Sequence, residues 1–325
     1  MDRRTFGLRV TASLSTLPLA CFGQAQSKVW RIGMLETTSA TLNAANLEAF
    51  RHSLGELGYV EGRNLTIDYR SADGRNDRFA EFASELVGLG VDLLVARGTP
   101  AALAAKHSTR TIPIVLVSIA DPLYVVPSLA RPGGNITGLS NQTADFEAKR
   151  LELLRALVPQ VARIGLLYNM ANPYYPARWS EMKGLAKSLN IEPLLLDAEK
   201  SADLERAFES ASRQRVDGLL VAADGLFAMN RKRITELAAR YQLPAIYQSK
   251  EFTEAGGLMA YGPSYPDLYR RAAVYIDKIF RGSSPGNLPI EQPTKFELII
   301  NVKTADALRL KVPQSLLLRA DEVIQ

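Results

Sequence analysis

Thiols and imidazoles are nearly missing from this chain of 325 residues, which holds one cysteine and two histidines. Neither a disulfide framework nor a zinc site built from Cys and His can be assembled from that set. His52 sits beside Arg51 on a predicted helix and His107 at a helix end, both ordinary surface or capping positions. The recurring catalytic and nucleotide patterns are also missing. No GxxxxGK[ST], no GxGxxG after a strand, no GxSxG elbow and no HExxH occurs, and no nucleophile is paired with a base. This excludes the common routes to phosphate, dinucleotide and zinc chemistry, so no catalytic residue, metal or cofactor is expected. The 39 basic and 34 acidic residues are scattered. They lack the long clusters of a nucleic-acid surface. No short-period repeat is present.

What is present is an average globular composition, 47% hydrophobic and 22% charged. That excludes a disordered chain and a polytopic membrane protein. The length suggests two domains. Residues 1–25 read as a signal peptide. Arg3-Arg4 precedes an uncharged, largely apolar run from Val10 to Phe22, and Gly23-Gln24-Ala25 offers a small-residue cleavage site. Arg3-Arg4-Thr5-Phe6 resembles a twin-arginine signal, with a plain secretory signal as the alternative. Pro18-Leu19-Ala20-Cys21 fits the lipoprotein pattern poorly. Cleavage after Ala25 removes the cysteine, so the mature chain relies on its core for stability.

The mature chain alternates short apolar strands with amphipathic helices. Strands are predicted at 30–35, 65–70, 91–96 and 114–117, with helices at 47–57, 78–89 and from 100 to 106 between them. The pattern restarts with a helix at 145–157. Strands follow at 163–168, 192–196, 218–221, 245–247 and 257–261, separated by helices at 176–189, 204–213 and 231–241. Continuous apolar strands between amphipathic helices indicate parallel sheets covered on both faces. The reading is therefore α/β, with two doubly wound units in tandem. The tail, a helix at 266–280, a strand at 296–300 and a short helix at 304–310, is too small for a domain and must return to the lobes. Repeated crossing makes a hinge, and a hinge between α/β lobes makes a cleft that closes on a ligand.

Open α/β sheets bind ligands at the C-terminal ends of their strands. In Arg97-Gly98-Thr99-Pro100-Ala101, Thr99 suits an N-cap with Pro100 at N1, and the exposed N–H groups with the Thr hydroxyl can hold a carboxylate. The alternative is a plain capped helix. Ser118 follows the next strand and can donate into a cleft, whereas Asp121 before Pro122 either joins it or starts a turn. The loop from Tyr168 to Pro176 carries Asn169, Asn172 and Tyr175, amides that orient and rings that pack on a small amphipathic ligand, or else a proline-rich surface turn. Asp224, after the strand at 218–221, can pair with a ligand amine or cap a helix. Tyr261-Gly262-Pro263 and Gly138-Leu139-Ser140 fall at expected crossovers between the lobes, with Gly as hinge or turn.

These segments share an order with a known family. Asp121-Pro122, then Leu129-Ala130-Arg131-Pro132-Gly133-Gly134-Asn135-Ile136-Thr137-Gly138-Leu139, Lys149-Arg150-Leu151-Glu152-Leu153-Leu154 and Tyr168-Asn169 resemble the ABC transporter substrate-binding proteins of the tryptophan-binding TrpX type. The ending, Phe296 to Asn301, Ala305-Asp306-Ala307-Leu308, Pro313 and Arg319-Ala320-Asp321-Glu322-Val323-Ile324, resembles them too. The resemblance spans the mature chain. It implies a type I periplasmic binding protein, two doubly wound parallel-sheet lobes joined by a three-crossover hinge. The expected lobes are 28–141 plus 263–286 and 142–262 plus 287–325. It implies a periplasmic, monomeric protein, not an enzyme, that captures a small organic solute and delivers it to an ABC permease in the inner membrane, with no nucleic-acid partner. A ligand-sensing subunit or an exported enzyme is the alternative. The implied ligand contacts are Thr99, Ser118 and Asp121 on one lobe and Asn169, Asn172 and Asp224 on the other, with Tyr175 and Tyr261 as further candidates. The loop departs from the family pattern after Asn169. Aromatic amino acids and aromatic or small organic acids therefore all remain open as ligands.

Overall fold

A computed structural model describes residues 28–141 and 143–325. The leader and Cys21 lie outside the described residues. The first lobe is built from β1 (Trp30–Glu36), α1 (Ala44–Glu56), β2 (Leu65–Ser71), α2 (Phe79–Gly88), β3 (Leu93–Arg97), α3 (Thr99–Ser108), β4 (Ile114–Ile119) and β5 (Ile136–Ser140). Its parallel sheet has the order β2-β1-β3-β4-β5. Alternate residues of each strand enter different cores. Ile32 and Met34 of β1, with Val115 and Val117 of β4, join the core under α1. Leu35, Ile114, Leu116 and Ile119 join the core under α2 and α3. Both faces are covered, which is why these strands are apolar throughout.

The second lobe follows with α4 (Thr143–Leu157), β6 (Arg163–Tyr168), α5 (Tyr175–Ser188), β7 (Glu192–Asp197), α6 (Asp203–Arg213), β8 (Gly218–Val221), α7 (Gly225–Met229), α8 (Arg231–Arg240), β9 (Ala245–Tyr247), α9 (Lys250–Glu254) and β10 (Met259–Pro263). The chain then returns to the first lobe as α10 (Tyr265–Phe280), whose Leu268, Tyr269, Ala272 and Ile276 seal the same core as α1. It finishes on the second lobe with β11 (Phe296–Asn301), α11 (Val302–Ala307), α12 (Gln314–Leu317) and β12 (Glu322–Ile324). The sheet order there is β12-β11-β10-β9-β8-β6-β7. β11 runs antiparallel to β10, so this sheet is mixed at its C-terminal edge.

Three details depart from the sequence reading. Gly138-Leu139-Ser140 is not the crossover; it belongs to β5, paired with β4 across a bulge. Gly138 is required there because its φ is +132° and a Cβ would lie 2.3 Å from Leu116 O. Residues 287–291 stay with the first lobe, beyond the boundary drawn at 286: Thr137 Oγ1 donates to Leu288 O, Ile290 N to Leu129 O and Glu291 N to Gly138 O. Pro263 ends β10 of the second lobe, and the return begins at Ser264, whose N–H donates to Lys295 O on the neighbouring crossover.

Candidate functional site

The C-terminal ends of β1, β3, β4, β8 and β9 converge on the cleft between the lobes. The cavity there measures about 600 Å³, counting its mouth to solvent. The lobes are closed on each other. A Cβ built on Gly225 would lie 2.7 Å from Thr37 Cβ, and one on Gly74 would lie 2.9 Å from Leu226 Cα.

The second lobe supplies Asp224, only 6% exposed. Its Oδ1 accepts from Asn169 Nδ2 (3.1 Å) and from Leu226 N (2.9 Å), and its Oδ2 accepts from Asn172 Nδ2 (2.8 Å). Capping and cleft roles therefore coincide, since the carboxylate that caps α7 also lines the cavity. Burial raises its pKa, and the donors from Asn172, Asn169 and Leu226 oppose that rise. The two asparagines are themselves fixed by local turns, with Oδ1 of Asn169 accepting from Ala171 N and Oδ1 of Asn172 from Tyr174 N. Tyr175 is fully buried, stacks on Tyr168 and donates to Ala223 O at 2.6 Å. Asn169, Asn172 and Tyr175 thus brace the Ala223-Asp224 segment from behind; they do not line the cavity.

The first lobe supplies Ser118 and Arg97. Ser118, at the end of β4, has φ +60°, an uncommon conformation for a residue with a side chain. Asn141 Nδ2 donates to its Oγ at 3.1 Å, which leaves the hydroxyl hydrogen to point elsewhere. Arg97, the last residue of β3, stands beside Glu36, the last of β1, with Nη1 to Oε2 at 3.8 Å. Burial drives the Glu36 carboxyl up to about 7, against the pull of Arg97 and of the Tyr269 hydroxyl, which donates at 2.5 Å. Burial alone would lower Arg97, but the phenols and carboxylates around it, led by Tyr269 and Glu36, raise it further and keep it charged.

Thr99, Asp121 and Tyr261 fall elsewhere. Gly98, at φ +81°, is the N-cap of α3, so Thr99 is one position inside the helix. Its hydroxyl is buried without a hydrogen-bond partner among the described residues and does not line the cavity. Asp121 caps the turn Pro122–Tyr124 through Leu123 N and borders a separate groove with Tyr124, Tyr174 and Arg178. Tyr261 packs edge-on against Phe146, and its carbonyl accepts from Arg150 Nε at 2.7 Å. Sequence reasoning passed over Thr37, Asn43, Gln248, Glu251 and Tyr265, which do line the cavity. The strand-end rule applied to β1 and β9 would have found Thr37 and Gln248. Gln248 Oε1 is buried and has no hydrogen-bond partner among the described residues. Among those residues no cluster of His, Cys, Asp and Glu could hold a metal, and no helix is long and apolar enough to cross a membrane.

Known proteins share this fold. Residues 34–324 match the family model described as ABC transporter substrate binding protein. A tyrosine-binding protein of Clostridioides difficile is 29% identical over 81% of this chain and 76% of its own length. A solved ABC domain from Streptococcus pneumonia, in complex with L-Trp, is 26% identical, with a TM-score of 0.83 over 91% of this chain and 99% of that one. A ligand-free, open substrate-binding protein with adhesive properties from Clostridium difficile is 25% identical over the same shares, with a TM-score of only 0.65. At nearly equal identity the chain follows the tryptophan-bound structure more closely, in keeping with its closed lobes. Two α/β lobes with sheets of this order are those of a type I periplasmic binding protein. With its family model spanning both lobes, the chain belongs to the ABC transporter substrate-binding proteins.

Proposed function

We propose that this protein captures an aromatic amino acid outside the cytoplasm and delivers it, as a monomer, to an ABC permease in the inner membrane. The observation that carries this reading is Asp224, a carboxylate buried at the cleft and held only by neutral donors. Such a group keeps its charge uncompensated and is suited to a ligand ammonium. Arg97 and Ser118 face it from the first lobe, so a zwitterion finds both signs of charge and a donor hydroxyl. Phe252, Tyr265 and Leu42 supply apolar cover. The tyrosine-binding relative and the tryptophan-bound neighbour support an aromatic side chain. The leader supports export.

The test is a thermal-shift screen of the mature protein with the proteinogenic amino acids and aromatic acids, beside native mass spectrometry for a retained small molecule. L-tyrosine or L-tryptophan at 100-fold over Kd should add ~2.7 kcal/mol of stability. A screen in which no aromatic amino acid raises the melting temperature would sink the reading.

A further inference from the structure

Resting on the amino-acid reading above, we propose that Arg97 is the group that reads the ligand's carboxylate, which makes the first lobe the acid-sensing wall of the cleft. Thr99, where the carboxylate site was expected, does not line the cavity, whereas Arg97 does. Arg97 has a side chain 12% exposed, so its guanidinium is held by the fold and still reaches the cleft.

The surroundings fix the guanidinium without using up its donors. Nη1 donates to Asn43 Oδ1 at 2.9 Å. Asn43 is itself held, receiving a hydrogen bond from Asn46 Nδ2 at 2.8 Å and donating to the Tyr69 and Tyr269 hydroxyls. Tyr265 covers one face, with its ring centroid 4.9 Å from Cζ. Glu36 stands at 3.8 Å, beyond hydrogen-bond range, and gives counter-charge without occupying an N–H. A planar fork with unspent donors, fixed by stacking and one amide, is the geometry that takes a carboxylate through paired bonds. Arg231, the other cation on the cavity wall, belongs to the second lobe with Asp224 and is turned onto Ala228 O. A zwitterion with its ammonium on Asp224 therefore presents its carboxylate to the opposite wall, where Arg97 and the Ser118 hydroxyl stand.

The competing role for Arg97 is stacking on the ligand ring, and ligand chemistry separates the two. L-tyrosine and L-tyrosinamide share ring and ammonium but differ in the carboxylate. Calorimetry on the mature protein should show L-tyrosine bound at least ~30-fold more tightly than the amide. In Arg97→Met the L-tyrosine affinity should fall until that ratio approaches one, and Arg97→Lys, which keeps charge but loses the fork, should lie between. The amide serves as the folding control, because its affinity should hardly change in either variant. Equal losses for both ligands, or none, would overturn the assignment and leave the aromatic amino-acid reading intact. A wild-type protein that binds the two equally would do the same. The same pair of measurements is made with L-tryptophan and L-tryptophanamide, and a wild-type protein that binds none of the four overturns that reading and this assignment together.

Discussion

The two walls of the cleft hold buried charge in opposite ways. On the second lobe, Asp224 is surrounded by neutral donors, two asparagine amides and a helix-start N–H. On the first lobe, Arg97 is set against a buried carboxylate and two phenol rings. Dipoles stabilise a charge without cancelling it, so Asp224 faces the cleft with no counter-ion among the donors that hold it. A counter-ion cancels part of a charge, so the first wall's charge depends on the proton state of Glu36. The second wall thus offers a carboxylate held by dipoles, whereas the first offers a cation shared with a buried counter-ion.

The sharpest way to break this comparison is Asp224→Ala. It should remove ~2–5 kcal/mol of L-tyrosine affinity by leaving the ammonium desolvated and unpaired. It should also cost ~1–3 kcal/mol of folding stability, because Asn169, Asn172 and the α7 cap lose their acceptor. Calorimetry and chemical denaturation read the two effects separately. Unchanged affinity beside reduced stability would leave Asp224 as a cap alone.

Glu36→Gln tests the first wall. Glu36 ordinarily titrates at 4.5 and rises to about 7 in the fold. Between these values the folded state binds more protons than the unfolded, so the contribution of Glu36 is complete below 4.5 and declines as pH rises through 7. Wild-type stability should therefore drop by ~3 kcal/mol relative to Glu36→Gln across that window, provided the variant keeps the Tyr269 hydrogen bond. Parallel urea melts at pH 5 and pH 8 would show it; curves that stay parallel would mean Glu36 is ionised throughout.

The smallest effect is assigned to Thr99→Val. The substitution removes a buried hydroxyl that has no hydrogen-bond partner among the described residues and keeps the shape of the side chain. Stability should rise by up to ~1 kcal/mol with ligand affinity unchanged. A clear loss of affinity would return Thr99 to the ligand site.

These contrasts show which features could be read from sequence. The α/β lobes were legible because strands buried on both faces must be apolar throughout, as in Ile114 to Val117. Asp224 and Ser118 were legible because strand ends of a parallel sheet lead to the cleft. Asp121 and Tyr261 share such placements, yet one caps an outer turn and the other packs against Phe146, and only tertiary geometry separates those outcomes. The strand Ile136–Ser140 was hidden by Gly138, which reads as a turn signal and is in fact the residue that clears the Leu116 backbone. Arg97 was passed over because its charge faces Glu36 and Tyr265, residues far away in sequence.

The return of α10 to the first lobe sets the order in which the polypeptide can acquire its shape. Tyr269 donates to Glu36 across a separation of 233 residues, and Ser53 Oγ to Arg270 O across 217. Until residues 265–280 have been synthesised, Leu47, Phe50 and Leu54 lack the helix that completes their core. The second sheet waits longer still, since one of its two edge strands is Glu322–Ile324. Neither half can mature during early translation. Closing such long loops precedes most of the burial that rewards them, which makes for slow folding and an extended interval of exposed apolar surface. A fragment ended at Asn141 would retain the strands of the first sheet but leave the face under α1 only partly covered, and it should aggregate instead of folding as a module.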